Sequence, residues 1–393
     1  MSARRPPLWG LLVVVAVGLA GCEPYMSLTD RVPTQTRQAT ALLPETPRFA
    51  GMVDLETMTG QLGAWTDMGL REQLRRAEGT RLGTFLDATG MKPEADLKAV
   101  YGTGGRAQSF SAVVFADLTP AQMDRYLDRV PEAGYTTTYG EVPVYHLVAG
   151  TPSDAAAPDT LTLGFVRDGV IAVAPEAGRV EAMVDRHQDE APGLRGNDPY
   201  MTLVERVGHG STAWLVGRDV LQTALRDSVG ERGDTATAPA PNGAGLKRML
   251  GAWADRMLGL DDPPAFEVEA PDDSRFERLR RQVREQAVSV TLSPESVEGE
   301  AYLTMRDETS ASNVVDVSKG VMAAVRLSGD APDANGLRGL LDDASIERDG
   351  PVVHAQLTVG REQFRQTIQA DRDVPTARGS VASIRRANRA IRR

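Results

Sequence analysis

The chain has 393 residues, 41% of them hydrophobic, one cysteine and a formal charge of −10. That is enough apolar content for a packed core, which excludes a disordered chain. The acidic balance argues against nucleic acid as a partner, and a single cysteine excludes an intramolecular disulfide.

The first element is the run Leu8–Cys22, preceded by Arg4 and Arg5. A basic start, a short apolar segment and small residues at its end form a secretory leader, too short for a lasting membrane helix. The ending Leu19-Ala20-Gly21-Cys22 resembles the lipobox of bacterial lipoproteins. The resemblance implies cleavage before Cys22, diacylation of its thiol and usually a third acyl chain on the new amino group. Two or more chains anchor firmly where one holds only marginally. Glu23 is not the aspartate that, by the same resemblance, marks inner-membrane retention, so the outer membrane is favoured. The resemblance covers residues 1–22 only. Removing Arg4 and Arg5 with the leader takes the charge from −10 to −12.

Residues 22–43 are rich in Thr and Gln and read as a flexible tether. An N-terminal α+β unit is expected over 44–226. Phe49, Gly51, Val53 and Leu55 alternate with Ala50, Met52, Asp54 and Glu56 as a half-buried strand. Two helices are expected over 58–89, stopped by Gly90. Ser109–Ala116 is a strand, and Thr119-Pro120 opens a helix with Thr119 as cap and proline at the first position. Two hairpins follow, turning at Gly140-Glu141 and Asp168-Gly169. Helices at Glu176–His187 and Asp198–Val207 lead to a strand at Ser211–Val216. Residues 227–245, full of Ala, Pro, Gly and Thr, read as a linker.

A C-terminal α+β unit is expected over 246–370. It opens with a helix at Leu246–Leu258. A hairpin turns at Pro294-Glu295-Ser296, with Ser289, Glu300 and Tyr302 on a wet face. A helix from Ser310 to Leu327 carries the stripe Val314, Val317, Val321 and Val325. A short helix at Gly336–Ala344 precedes a hairpin turning at Asp349-Gly350, and a helix at Gly360–Ala370 closes the unit. Residues 371–393 read as a basic, disordered tail. The fold class is therefore α+β: antiparallel sheets of hairpins with amphipathic helices on one face. The order strand, helix, hairpin, helix appears twice, with Arg167-Asp168-Gly169 matching Arg348-Asp349-Gly350, which suggests two related halves. With Leu43-Pro-Glu-Thr-Pro47 at its start, the body resembles uncharacterised bacterial envelope proteins that open on a similar Leu-Pro segment and repeat an α+β unit.

No stretch spells out a catalytic, metal or cofactor site. His146, His187, His209 and His354 share no ligand spacing, and the only cysteine is assigned to lipidation. Gly208-His209-Gly210-Ser211 reads as a turn into a strand, and Gly102-Thr-Gly-Gly105 as a loop or bulge. Asp333 to Asp342 is a near miss to a calcium loop. Asp54 and Glu56, on one strand face, are exposed charges rather than an acid–base pair. The resulting expectation is a lipid-anchored envelope protein, attached to the membrane at Cys22, that binds or supports an unknown envelope protein. The alternatives are a solute-binding lipoprotein of a transporter and an envelope hydrolase with dispersed residues.

Overall fold

A computed structural model describes residues 32–62, 81–104, 110–149, 159–188, 191–218, 282–327 and 343–364. The leader with Cys22, the linker at 227–245, the helix at 246–258, the calcium-like loop and the tail at 371–393 lie outside these residues. So does all but the last two residues of the expected helix at 336–344.

The expected tether gives way to structure before residue 43. Thr34–Leu42 forms helix α1. Thr36, Ala39, Thr40 and Leu43 recur at i, i+3, i+4 and i+7, and all four are buried. The composition suggested flexibility because small and polar residues fill this stripe. They are buried because each hydroxyl finds a partner: Thr36 Oγ1 pairs with the Tyr101 hydroxyl at 3.0 Å, and Thr40 Oγ1 donates to the Thr36 carbonyl at 2.8 Å.

The twelve strands among the described residues form one antiparallel sheet. In chain order they are β1 (Phe49–Asp54), β2 (Leu97–Gly104), β3 (Phe110–Ala116), β4 (Gly134–Tyr139), β5 (Val142–Ala149) and β6 (Asp159–Arg167). The rest are β7 (Val170–Ala174), β8 (Ala213–Gly217), β9 (Val283–Leu292), β10 (Ser296–Met305), β11 (Ala344–Asp349) and β12 (Val352–Gly360). The spatial order is β11-β12-β10-β9-β8-β1-β2-β3-β7-β6-β5-β4. The three expected Gly turns at the β4–β5, β6–β7 and β11–β12 hairpins all form, with Gly140, Gly169 and Gly350 at positive φ.

Two departures concern the centre of this sheet. β1 lies between β2 and β8 and buries Ala50 to Val53 on both faces, so it is not half-exposed. It also ends at Asp54. Asp54 caps helix α2 (Leu55–Leu62), accepting from the Thr57 N–H at 2.8 Å and the Thr57 hydroxyl at 2.7 Å. Glu56 is in the first turn of α2, so the two carboxylates share no strand face. Gly102-Thr103-Gly104 is not a loop but the end of β2, whose strand the glycines disguised. The Phe49 ring lies over Gly104, where a Cβ would sit within 2.0 Å of it.

The α+β class holds, and the helices cover both faces of the N-terminal half. Val113 and Phe115 of β3 face a cluster with α1, helix α6 (Ala177–His187) and helix α7 (Asp198–Val207). Ala112 and Val114 face the other cluster, with helix α3 (Arg81–Thr89) and helix α5 (Pro120–Arg129). A short helix α4 (Pro93–Asp96) precedes β2. The cap expected at Thr119 forms as a capping box, with Gln122 Oε1 accepting from the Thr119 N–H at 2.8 Å. Gln122 Nε2 then donates to the Thr89 carbonyl at 2.9 Å, tying α5 to the end of α3.

In the C-terminal half, helix α8 (Glu308–Leu327) packs on β10, β11 and β12. It buries Ala311, Val314 and Val315, whereas Val317 is 58% exposed. Of the expected valine stripe, Val314 is buried and Val317 is not; Ala311 and Val315, one turn apart, join Val314 against the sheet, and the side chains of Val321 and Val325 lie outside the described residues. The hairpin face expected to be wet is half covered as well. α7, from the N-terminal half, crosses β8 and β9, so Ser289 is buried.

The halves read in the same order. From the centre outward one is β1-β2-β3-β7-β6, with β5 and β4 added at the edge, and the other is β8-β9-β10-β12-β11. β1 and β8 meet antiparallel in the middle, Met52 opposite Trp214.

Candidate functional site

The four histidines fall on four separate elements. His146 on β5 stacks on Tyr135 with centroids 4.6 Å apart, and its Nε2 pairs with Thr137 Oγ1 at 2.8 Å. His187 is exposed at the end of α6, and His209 is exposed in the turn before β8. Ser211 is buried beside that turn. Among the described residues, no three His, Cys, Asp or Glu side chains cluster as metal ligands. No described helix is long and apolar enough to cross a membrane.

His354 is half-buried on β12. It stacks face to face on Tyr302 across β12 and β10, with centroids 3.9 Å apart and an interplanar angle of 8°. Its Nε2 is buried and has no hydrogen-bond partner among the described residues. Glu300 shares this face two residues along β10, opposite Ser289. Burial raises the Glu300 carboxyl above the usual carboxylate range, and Glu298 adds to the effect. Burial also raises the Tyr302 hydroxyl. Burial, with the Arg206 guanidinium of α7 nearby, holds His354 down at about 4.

This depressed histidine makes stability depend on pH. The ring protonates near 6.5 in an unfolded chain and near 4 in the folded one. Its contribution is thus complete above about pH 6.5 and is lost as pH falls toward about 4. Because the side chain is only partly buried, screening holds the effect to about 1 kcal/mol. Glu300 acts in the opposite direction, favouring the folded state as pH drops. His354→Gln, with Glu300 retained, is expected to flatten the fall in urea-unfolding free energy between about pH 7 and pH 4.5. Equal falls in both proteins would refute it.

A second polar feature lies at the opposite half of the sheet. A cavity of about 330 Å³ opens between α1, the end of α6, the 3₁₀ turn Leu194–Gly196 and the end of β6. Its lining includes Arg37, Arg167, Arg186, Arg195, His187 and Thr34, with no carboxylate among the described residues. Its walls are fixed. Leu194 is buried and its N–H donates to the Leu43 carbonyl at 2.9 Å. Gly193 approaches α1 so closely that a Cβ there would lie 2.1 Å from the Ala41 carbonyl oxygen. Arg186 donates from Nε to the Pro192 carbonyl at 3.1 Å and from Nη1 to the Ala182 carbonyl at 3.0 Å. Burial lowers the Arg186 pKa, against the pull of Asp185 and Glu45. Sequence reading missed this group. Its arginines are scattered from residue 37 to 195, and Arg167 reads only as part of a hairpin turn.

No protein-family model matches the chain, and no curated protein does. Solved structures of TP0453 align with it. Crystal form IV covers 87% of this chain and 98% of that one, with a TM-score of 0.40 and 10% identity. Form III covers 84% and 98% at 0.37 and 10%, and form I covers 85% and 97% at 0.38 and 9%. At these scores the likeness carries no argument about a shared site.

Proposed function

We propose that this chain is a lipid-anchored protein of the bacterial envelope, held at Cys22, with a binding or scaffold role at the membrane surface. The observation that carries this reading is the leader. A basic start, an apolar run and Leu19-Ala20-Gly21-Cys22 stand together, and Cys22 is the only thiol in the chain. Acylation there would supply the membrane contact, and the outer membrane is favoured because Glu23 follows the cysteine. The partner is an envelope protein met at that surface. In this reading the two halves arose by duplication, which the matched strand orders and the paired Asp-Gly turns support.

Cys22→Ser removes the acylation point. The variant is expected to leave the detergent phase in a partition assay and to be released from membranes or mislocalised. Unchanged partition would end the lipoprotein reading.

A further inference from the structure

The arginine cavity is charged against the trend of the whole molecule. The chain is net −10, yet four arginines line one opening. Like charges that line one opening repel, and the repulsion is relieved when an anion sits between them. Two of the arginines are accounted for within the fold. Arg186 is spread over backbone carbonyls, and Arg37 Nη2 reaches Thr34 Oγ1 at 3.4 Å. Arg167 and Arg195 are exposed and have no ion-pair partner among the described residues. Both open onto the cavity.

We propose that this cavity is a binding site for a phosphoryl group, carried either by a small soluble phosphate or by a phospholipid headgroup. The shared chemistry is a multiply charged oxyanion. Guanidinium forks recognise such groups through paired, charge-assisted N–H···O bonds. Thr34 supplies a hydroxyl, and Ala41 and Leu42 are the apolar lining, so the site suits a compact polar ligand. About 330 Å³ leaves room for more than a bare phosphate. The inference stands on the arginine geometry and does not depend on acylation at Cys22.

The test titrates the full chain, in neutral detergent, with inorganic phosphate and separately with dihexanoyl phosphatidic acid below its micelle threshold. Binding of either is expected by calorimetry. In the double variant Arg167→Gln/Arg195→Gln the affinity is expected to fall by about tenfold or more. Arg129→Gln, at the exposed end of α5, is expected to leave it unchanged. Tenfold tighter binding of the lipid assigns the site to a headgroup, and equal binding assigns it to a soluble phosphate. Binding of neither, an unaltered affinity in the folded double variant, or equal binding of chloride at the same ionic strength would overturn the proposal.

Discussion

Trp214→Ala is expected to destabilise the protein by about 3–5 kcal/mol, the range for removing a large buried aromatic side chain. Trp214 is 1% exposed. It belongs to a row that crosses the middle of the sheet: Tyr101 on β2, Met52 on β1, Trp214 on β8 and Ser289 on β9 lie in successive register. Its ring meets Tyr101 edge-on at 6.3 Å, and Tyr101 meets Phe115 at 5.6 Å. Truncation leaves a void where the halves join, and β1 and β9 cannot close it without breaking the ladder. The Trp214 Nε1 finds no acceptor among the described residues. Trp214→Phe therefore removes an unsatisfied donor along with the volume and is expected to cost less, about 1–2 kcal/mol. Urea unfolding followed by far-UV circular dichroism reads both. A loss below about 1 kcal/mol for the alanine variant would contradict the role given to this row.

The second large effect is expected at Gly193. Its backbone is extended, at φ −103° and ψ 178°, so any residue could adopt it. The constraint is contact alone. An added Cβ would lie 2.1 Å from the Ala41 carbonyl oxygen and 2.7 Å from its carbon. Backbone cannot yield as a flexible side chain does, so α1 and the turn at Leu194 must part. Gly193→Ala is expected to cost about 2–3 kcal/mol, near the upper range for overpacking. It also strains the Pro44–Gly193 bridge and the bond from the Leu194 N–H to the Leu43 carbonyl. Protease sensitivity near residue 42 should rise, with the thermal midpoint falling by several degrees. A midpoint unchanged within error would show that the two segments separate freely.

Much of the strand and turn pattern was legible because it is local. Alternation along Val297 to Met305 and the Asp-Gly turns act over a few residues, and they form where expected. β2 was hidden because Gly102 and Gly104 are strand glycines, and the need for Gly104 arises from Phe49, a residue far back in the chain. The cover over Ser289 comes from α7, which belongs to the other half, so no pattern within the hairpin could report it. The same holds for the exposure of Val317 on α8 and for Glu300, whose raised carboxyl is a product of burial. The arginine cavity was least legible. Its members share no spacing, and in a chain where 40 of the 44 basic residues are arginine no single one stands out.

The placement of β1 sets a timetable. β1 is the first of the described strands to be made, yet one of its two partners is β8. Roughly 160 residues separate Asp54 from Ala213. At synthesis rates of about 5–20 residues per second, that interval lasts about 8–30 s. Throughout it, β1 can pair with β2 on one side only, and its other edge offers unpaired N–H and C=O groups to any passing strand. The sheet is sealed late and from the inside, so a growing chain needs shelter at its centre rather than at its ends.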